Sequence, residues 1–322
     1  MFPGQGSLYP SMISKLVGLH PPNGELLTAA SDHLHRDLAA HYREDNEEIF
    51  GCNRHIQIGV FLANCMFLEI LNSHGIQADL SLGLSLGEYN HLLHIGALGF
   101  EETVETVEQR GHAYDAGPAG AMASVFPIEL EELEEVVEKA SASGVLEIVN
   151  LNSPGQHVLS GEKPAIEEAV RILDESSYAQ TVVIEDNIPV HCSTFEPVGR
   201  EFRKHLETLT FVPPRLPYFP NRLGHPLQNA TQEDFVELLS THVHRPVLWR
   251  HSIDLIVEQW PDAVFVEVGP RKVLSNLLHR RWHPVRRFHT DSEKGTHSHL
   301  ESLIGTLEAL KHPTEEAPEH VL

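Results

Sequence analysis

Leu82-Gly83-Leu84-Ser85-Leu86-Gly87-Glu88-Tyr89 is the stretch on which the fold turns. It has the form G-x-S-x-G, a nucleophile elbow, in which a serine rides a sharp strand-to-helix turn with its hydroxyl pushed into a pocket. Gly83 and Gly87 suit a turn where backbone approaches backbone closely, because a Cβ there would intrude. Upstream, Ile76 to Leu82 reads as a short strand after a turn at Gly75. Downstream, Glu88 to Ile95 reads as the start of a helix closed by Gly96. Strand, turn and helix together favour Ser85 as a nucleophile. For the motif alone, a glycine-bounded turn with an incidental serine stays open.

Working outward, 322 residues suit one large α/β domain with an inserted subdomain, and 41% hydrophobic residues furnish a core. No apolar run approaches the roughly 20 residues needed to span a bilayer, and no charged-then-apolar leader opens the chain. A soluble cytoplasmic protein with no membrane role is expected. Cys52, Cys65 and Cys192 cannot make a disulfide framework and include no C-x-x-C pair. A formal net charge of −23 argues against nonspecific nucleic-acid binding, which needs a broad basic face. One local exception, residues 279–287, is densely basic and could dock an anionic partner or a phosphorylated cofactor. A solvated helix end and loop would look the same.

In chain order, Phe2-Pro3-Gly4-Gln5-Gly6-Ser7 is a turn that would bring backbone amides to a ligand. Ile56 to Leu71 reads as a buried helix carrying Gln57. From Ala123 to Glu185 the pattern runs strand, acidic helix, two strands around Asn152-Ser153-Pro154-Gly155, helix and strand. This β-α-β-β-α-β order over residues 122–188 predicts a ferredoxin-like insert in a large domain made of 1–121 and 189–290. Residues 199–208 and Asp234 to His242 read as helices, the latter capped by Thr231, and Ala263 to Val268 as a strand. A helix over Leu300 to Leu310 and a frayed tail complete residues 291–322.

A serine hydroxyl needs a base within hydrogen-bond reach, and 23 histidines are available, so position has to choose. Paired histidines such as His91 with His94, or His242 with His244, lack neighbouring acids or thiols in a recognisable ligand spacing, and no metal is expected. No phosphate-binding loop of the G-x-x-x-x-G-K-[ST] or G-x-G-x-x-G type occurs. Cys192 as nucleophile would lack a second base.

Phe2-Pro3-Gly4-Gln5-Gly6-Ser7, the elbow, Gln109-Arg110-Gly111, Asn152-Ser153-Pro154-Gly155-Gln156, Pro189-Val190-His191-Cys192-Ser193 and Pro246-Val247-Leu248-Trp249 stand in an order that resembles the malonyl-CoA:acyl-carrier-protein transacylase family. The resemblance runs from residue 2 to about 275. It implies a hydrolase-like α/β domain with a parallel sheet and the same ferredoxin-like insert. It also implies Ser85 as nucleophile, His191 as base, and the backbone N–H groups of Gln5 and Leu86 as the oxyanion hole. Arg110 would grip the free carboxylate of a malonyl group, with Gln57, Asn152 and His242 also lining the substrate. A backbone carbonyl near His242 would orient His191. The family usually carries Gln at 242 and His at 84, so His242 and Leu84 are departures: the resemblance implies a backbone role at 242 but none that needs the Gln side chain.

The expected activity is therefore ping-pong malonyl transfer from malonyl-CoA, without a bound cofactor, to the phosphopantetheine thiol of an acyl carrier protein, by a monomer. Arg280, Arg281, Arg286 and Arg287 are the candidate dock for the acidic carrier. A proofreading acyl hydrolase of the same fold is the first alternative: Arg110 argues against it and Leu84 for it. A non-catalytic carrier-binding module is the second, disfavoured by the presence of both Ser85 and His191.

Overall fold

The computed structural model describes residues 1–43, 46, 49, 51–280 and 283–311. Helices lead the chain: α1 (Met12–Leu19), α2 (Pro22–His33), α3 (Leu38–His41), α4 (Asn53–Ser73), α5 (Gly87–Ile95) and α6 (Phe100–Asp115). Next come β1 (Ala121–Phe126), α7 (Leu130–Ala140), β2 (Leu146–Ser153), β3 (Gln156–Gly161), α8 (Lys163–Ser176) and β4 (Gln180–Glu185). The chain then continues through α9 (Glu196–Leu206), α10 (Gln232–His242), α11 (Trp249–Gln259), β5 (Val264–Glu267), α12 (Val273–Leu277), β6 (Arg286–His289) and α13 (Thr296–Lys311).

Two sheets of opposite character result. β1 to β4 form an antiparallel sheet in the order β2-β3-β1-β4. Ala123, Val125, Leu146 and Leu159 pack with Leu133, Val136, Ile166 and Leu173 of α7 and α8 in a core of their own. The second arrangement is parallel. β5 pairs with β6, and Met1 donates to Val266 O and accepts from Val268 N, both at 2.8 Å. Phe2 N in turn donates to Leu82 O at 2.9 Å and Phe2 O accepts from Leu84 N at 3.0 Å. Residues 82–84, 1–2, β5 and β6 therefore run side by side in one direction.

Two sequence expectations need correction. Ile76 to Leu82 is not a regular strand: the pairing is confined to the single bridge at Gly83, because exposed residues from Gln77 to Asp79 have no neighbouring strand. And α4 is long and apolar enough, by length and composition, to cross a membrane, although no such run was expected. Its apolar window is 72% buried within the fold, against α1, α2, α5 and α6. Elsewhere helices and strands fall within a few residues of expectation, including the Thr231 cap, which closes a capping box with Asp234.

Candidate active site

Close backbone contact builds the elbow. A Cβ on Gly83 would stand 1.9 Å from Gly87 O, and one on Gly87 2.1 Å from Phe2 O, so neither position admits a side chain. Between them Ser85 adopts φ 52°, a left-handed conformation that costs an L-residue about 1–3 kcal/mol and persists only when neighbours enforce it. Asn221 does so from both sides. Its Oδ1 accepts from Ser85 N at 2.8 Å and its Nδ2 donates to Gly83 O at 2.6 Å.

The N-terminal turn lies against this elbow. A Cβ on Gly4 would be 3.0 Å from Leu84 O and 3.7 Å from Ser85 Cβ. Gln5 opens a 3-10 turn and Leu86 precedes α5, where N–H groups lack intrahelical partners. Among the described residues no acceptor takes either N–H. Two unspent backbone donors therefore flank the serine, as an oxyanion would require.

His191 completes the pair. Its Nε2 is 2.9 Å from Ser85 Oγ, and its Nδ1 is 2.6 Å from the carbonyl oxygen of His242. A carbonyl can only accept, so Nδ1 carries the proton and Nε2 offers its lone pair to the serine hydroxyl. Burial, followed by the nearby Arg110 charge, pushes the imidazole down to about 3, outweighing the His242 carbonyl, so the ring is neutral at pH 7. The His242 ring stacks on it at 4.8 Å between centroids and 24° between planes, with Nδ1 3.4 Å from Glu88.

Arg110 is only 1% exposed, not the surface arginine its acidic helix neighbours would suggest. Its guanidinium lies over the Tyr114 ring at 4.3 Å, donates through Nη1 to Gln57 Oε1 at 2.7 Å and through Nη2 to Ser85 Oγ at 3.2 Å. Nε is buried without a partner. Nε and Nη2 share one edge of the guanidinium, and of the two only Nη2 is spent, on the nucleophile. A carboxylate is the group that such an edge matches.

A family model described as "Acyl transferase domain" matches residues 1–300. The chain belongs to the acyl transferase domain family. It is 30% identical over 282 residues to the malonyl CoA-acyl carrier protein transacylase of Bacillus subtilis, covering 86% of this chain and 88% of that one. The crystal structure of the same-named protein from Clostridium perfringens is similar with a TM-score of 0.88 at 28% identity, over 98% of each chain. A malonyl-transacylase solved in complex with a type II PKS acyl-carrier protein matches with a TM-score of 0.85 at 27% identity, covering 94% of this chain and 98% of that one.

Not every expected residue of this acyltransferase joins the cluster. Asn152, on β2, is buried, yet among the described residues it has no hydrogen bond to Ser85, His191 or Arg110, and its Oδ1 is unpartnered. Leu84 packs with Met1, Leu82, Phe219, Val247 and Trp249. Cys192 is fully buried, and burial pushes its thiol up, away from the thiolate a nucleophile needs. Arg280 is exposed and Arg281 lies outside the described residues. Arg286 and Arg287, candidates for a docking patch or for a solvated helix end and loop, open strand β6 because Val285 and Phe288 pack with the strand beside them. The parallel strands carry those two arginines to the sheet end opposite Ser85.

Two further residues take part that no motif marks: Asn221 and Glu88. Asn221 directly follows the prolines at 213, 214, 217 and 220. Glu88 is fully buried, accepts from Tyr218 Oη at 2.7 Å and from Asn221 N at 3.2 Å, and so holds the clamp that holds the serine. Burial raises its carboxyl to about 7, against the opposing pull of those hydrogen bonds and of Arg110. Its place directly after G-x-S-x-G was the available signal.

Proposed function

We propose that the chain transfers a malonyl group from malonyl-CoA to the phosphopantetheine thiol of an acyl carrier protein, through an ester on Ser85. The observation that carries this is Arg110 beside the nucleophile: a buried cation with no carboxylate partner among the described residues, 3.2 Å from Ser85 Oγ through Nη2 and with Nε unpartnered. An acyl chain ending in methyl would leave that charge unpaired, whereas a malonyl carboxylate forks onto it.

The chemistry follows from proton positions. His191 Nε2 takes the Ser85 proton as Oγ attacks the thioester carbon, and the oxygen that gains charge is met by the N–H groups of Gln5 and Leu86. Collapse breaks the C–S bond, and the imidazolium returns its proton to the coenzyme A sulfur. The carrier thiol then gives its proton to the same nitrogen and attacks the ester; the bond from the acyl carbon to Ser85 Oγ breaks, and Oγ takes the proton back from His191. The His242 carbonyl holds the Nδ1 proton throughout.

The finer fold reading belongs here as well. The strand order β2-β3-β1-β4 with α7 and α8 on one face supports a ferredoxin-like insert over 122–188. The parallel strands around the elbow support a hydrolase-like domain over 1–121 and 189–290, with residues 291–322 as helix and tail. Charge alone supports carrier docking at Arg280, Arg281, Arg286 and Arg287, and strand direction counts against it.

Intact mass after brief mixing with malonyl-CoA, or separately with acetyl-CoA, tests the activity. A malonyl adduct that is lost in Ser85→Ala and moves to added carrier is expected, with weak acetyl loading. Preferential acetyl loading that drains into water without a carrier would replace this function with hydrolysis.

A further inference from the structure

Beyond Arg110 the hydrogen bonds continue in one direction. Arg110 Nη1 donates to Gln57 Oε1 at 2.7 Å, Gln57 Nε2 to Gln5 Oε1 at 3.3 Å, and Gln5 Nε2 to Asn53 Oδ1 at 3.3 Å. Asn53 Nδ2 then donates to Asp115 Oδ1 at 3.0 Å. One end of this chain is a guanidinium, which can only donate, and the other a carboxylate, which can only accept. The three amides between them are therefore locked in a single orientation. Flipping any one of them would set donor against donor or acceptor against acceptor at both of its contacts.

Asp115 is oddly placed for an ordinary helix residue. It ends α6, where a negative charge opposes the helix dipole. Its oxygens instead serve the start of α4, accepting also from Asn53 N at 2.8 Å, Arg54 N at 3.2 Å and Cys52 Sγ at 3.0 Å. Burial pushes its carboxyl up, and these hydrogen bonds outweigh that and hold it below the ordinary carboxylate value. α4 and α6 meet closely here, since a Cβ on Gly111 would lie 2.4 Å from Arg54 Cα.

We propose that Asp115 is a positioning residue for acyl selectivity: by anchoring the Asn53-Gln5-Gln57 side-chain relay, it fixes the Arg110 guanidinium beside the nucleophile. The proposal rests on malonyl transfer as the activity. It makes a surface carboxylate, remote from the chemistry, answerable for how the acyl carboxylate is met.

Asp115→Asn is the discriminating change, because it leaves one oxygen for the α4 amides while ending the acceptor-only constraint; Asp115→Ala removes cap and anchor together. In single-turnover loading, Asp115→Asn should lower kcat/KM for malonyl-CoA roughly tenfold, mainly through KM, and change acetyl-CoA loading less than twofold. Equal losses for both substrates, or no loss for either, would overturn it. Side-chain amide resonances of Gln5 and Gln57 supply a readout independent of activity: they should move in Asp115→Asn, and unmoved resonances would also refute the relay. If the unmodified chain fails to load malonyl, the proposed function falls while the resonances still judge the relay.

Discussion

Arg110→Lys isolates what a guanidinium does that a charge alone cannot. In the structure the guanidinium is stacked on Tyr114, braced by Gln57 and bonded through Nη2 to the serine, while Nε is buried without a partner. An ammonium keeps the charge but offers a carboxylate no parallel fork. Losing one of two charge-assisted hydrogen bonds costs about 1.5–3 kcal/mol, a drop of roughly 10- to 150-fold in kcat/KM for malonyl-CoA. Arg110→Ala goes further: a buried carboxylate without a partner costs about 3–5 kcal/mol, roughly a hundred- to several-thousand-fold. Acetyl-CoA has no carboxylate to strand, so its loading should hold or rise in both variants. The assay is rapid-quench acylation of Ser85 read by intact mass, with both thioesters run against each variant. If malonyl and acetyl loading fall by the same factor, Arg110 serves Ser85 or the fold and not the acyl group.

The elbow should tolerate no Cβ at Gly87, where it would stand 2.1 Å from Phe2 O; Gly87→Ala should cost about 1–3 kcal/mol of stability and abolish measurable loading. Gly18→Ala, with nothing within 4 Å of the new carbon, should do neither, and a melting temperature for Gly87→Ala equal to that of Gly18→Ala would refute the close approach. A second expectation concerns pH. Because burial and Arg110 push His191 down to about 3, loading should stay flat from pH 7 to 5, where an ordinary histidine would halve the rate near 6.5. The folded state refuses a proton that the unfolded chain accepts below about 6.5, so stability is full above that pH and is lost as pH falls towards 3. His91, pushed down to about 3, and His94, to about 4, add in the same sense. Glu88, raised to about 7, has the opposite sign: its contribution is complete below the usual carboxylate range and lost as pH rises through 7. A rate that halves near pH 6.5 in both the unmodified chain and Glu88→Gln would show that His191 titrates normally.

Much of the fold was legible because periodicity and punctuation agreed. In the βαββαβ unit each element carried its own signal: the helix α7 alternates acids with a Leu133-Val136-Ala140 face, and its neighbours are short, largely apolar runs. The strand before the elbow failed for an informative reason. Its partner is Met1-Phe2, a pairing across some eighty positions that leaves only residues 82–84 hydrogen-bonded, and local pattern carries no record of so distant a neighbour. Likewise α4 reads as an apolar helix from its composition, but only its neighbours decide that it is a core helix.

The nucleophile, the base and the arginine could be found because motif residues announce themselves. Apart from the His242 carbonyl, which the resemblance implied, the residues that hold them in place carry no such motif, because what they supply is conformation. Ser85 at φ 52° and His191 at φ 66° are both left-handed, and they meet at 2.9 Å. Each strained residue is held by groups distant in sequence: Ser85 by Asn221, itself fixed by Glu88, and His191 by the carbonyls of Val243 and His242. At about 1–3 kcal/mol each, two such conformations would relax if their clamps were single contacts at the surface. Here the Asn221 and Glu88 clamps are buried polar groups whose release would leave unsatisfied donors and acceptors, a penalty of the same size or larger. The clamp therefore holds. A backbone carbonyl in that role also means that the histidine at 242, where the resemblance led to an expectation of glutamine, leaves the contact intact: the bond to His191 Nδ1 comes from the main chain, which every residue supplies.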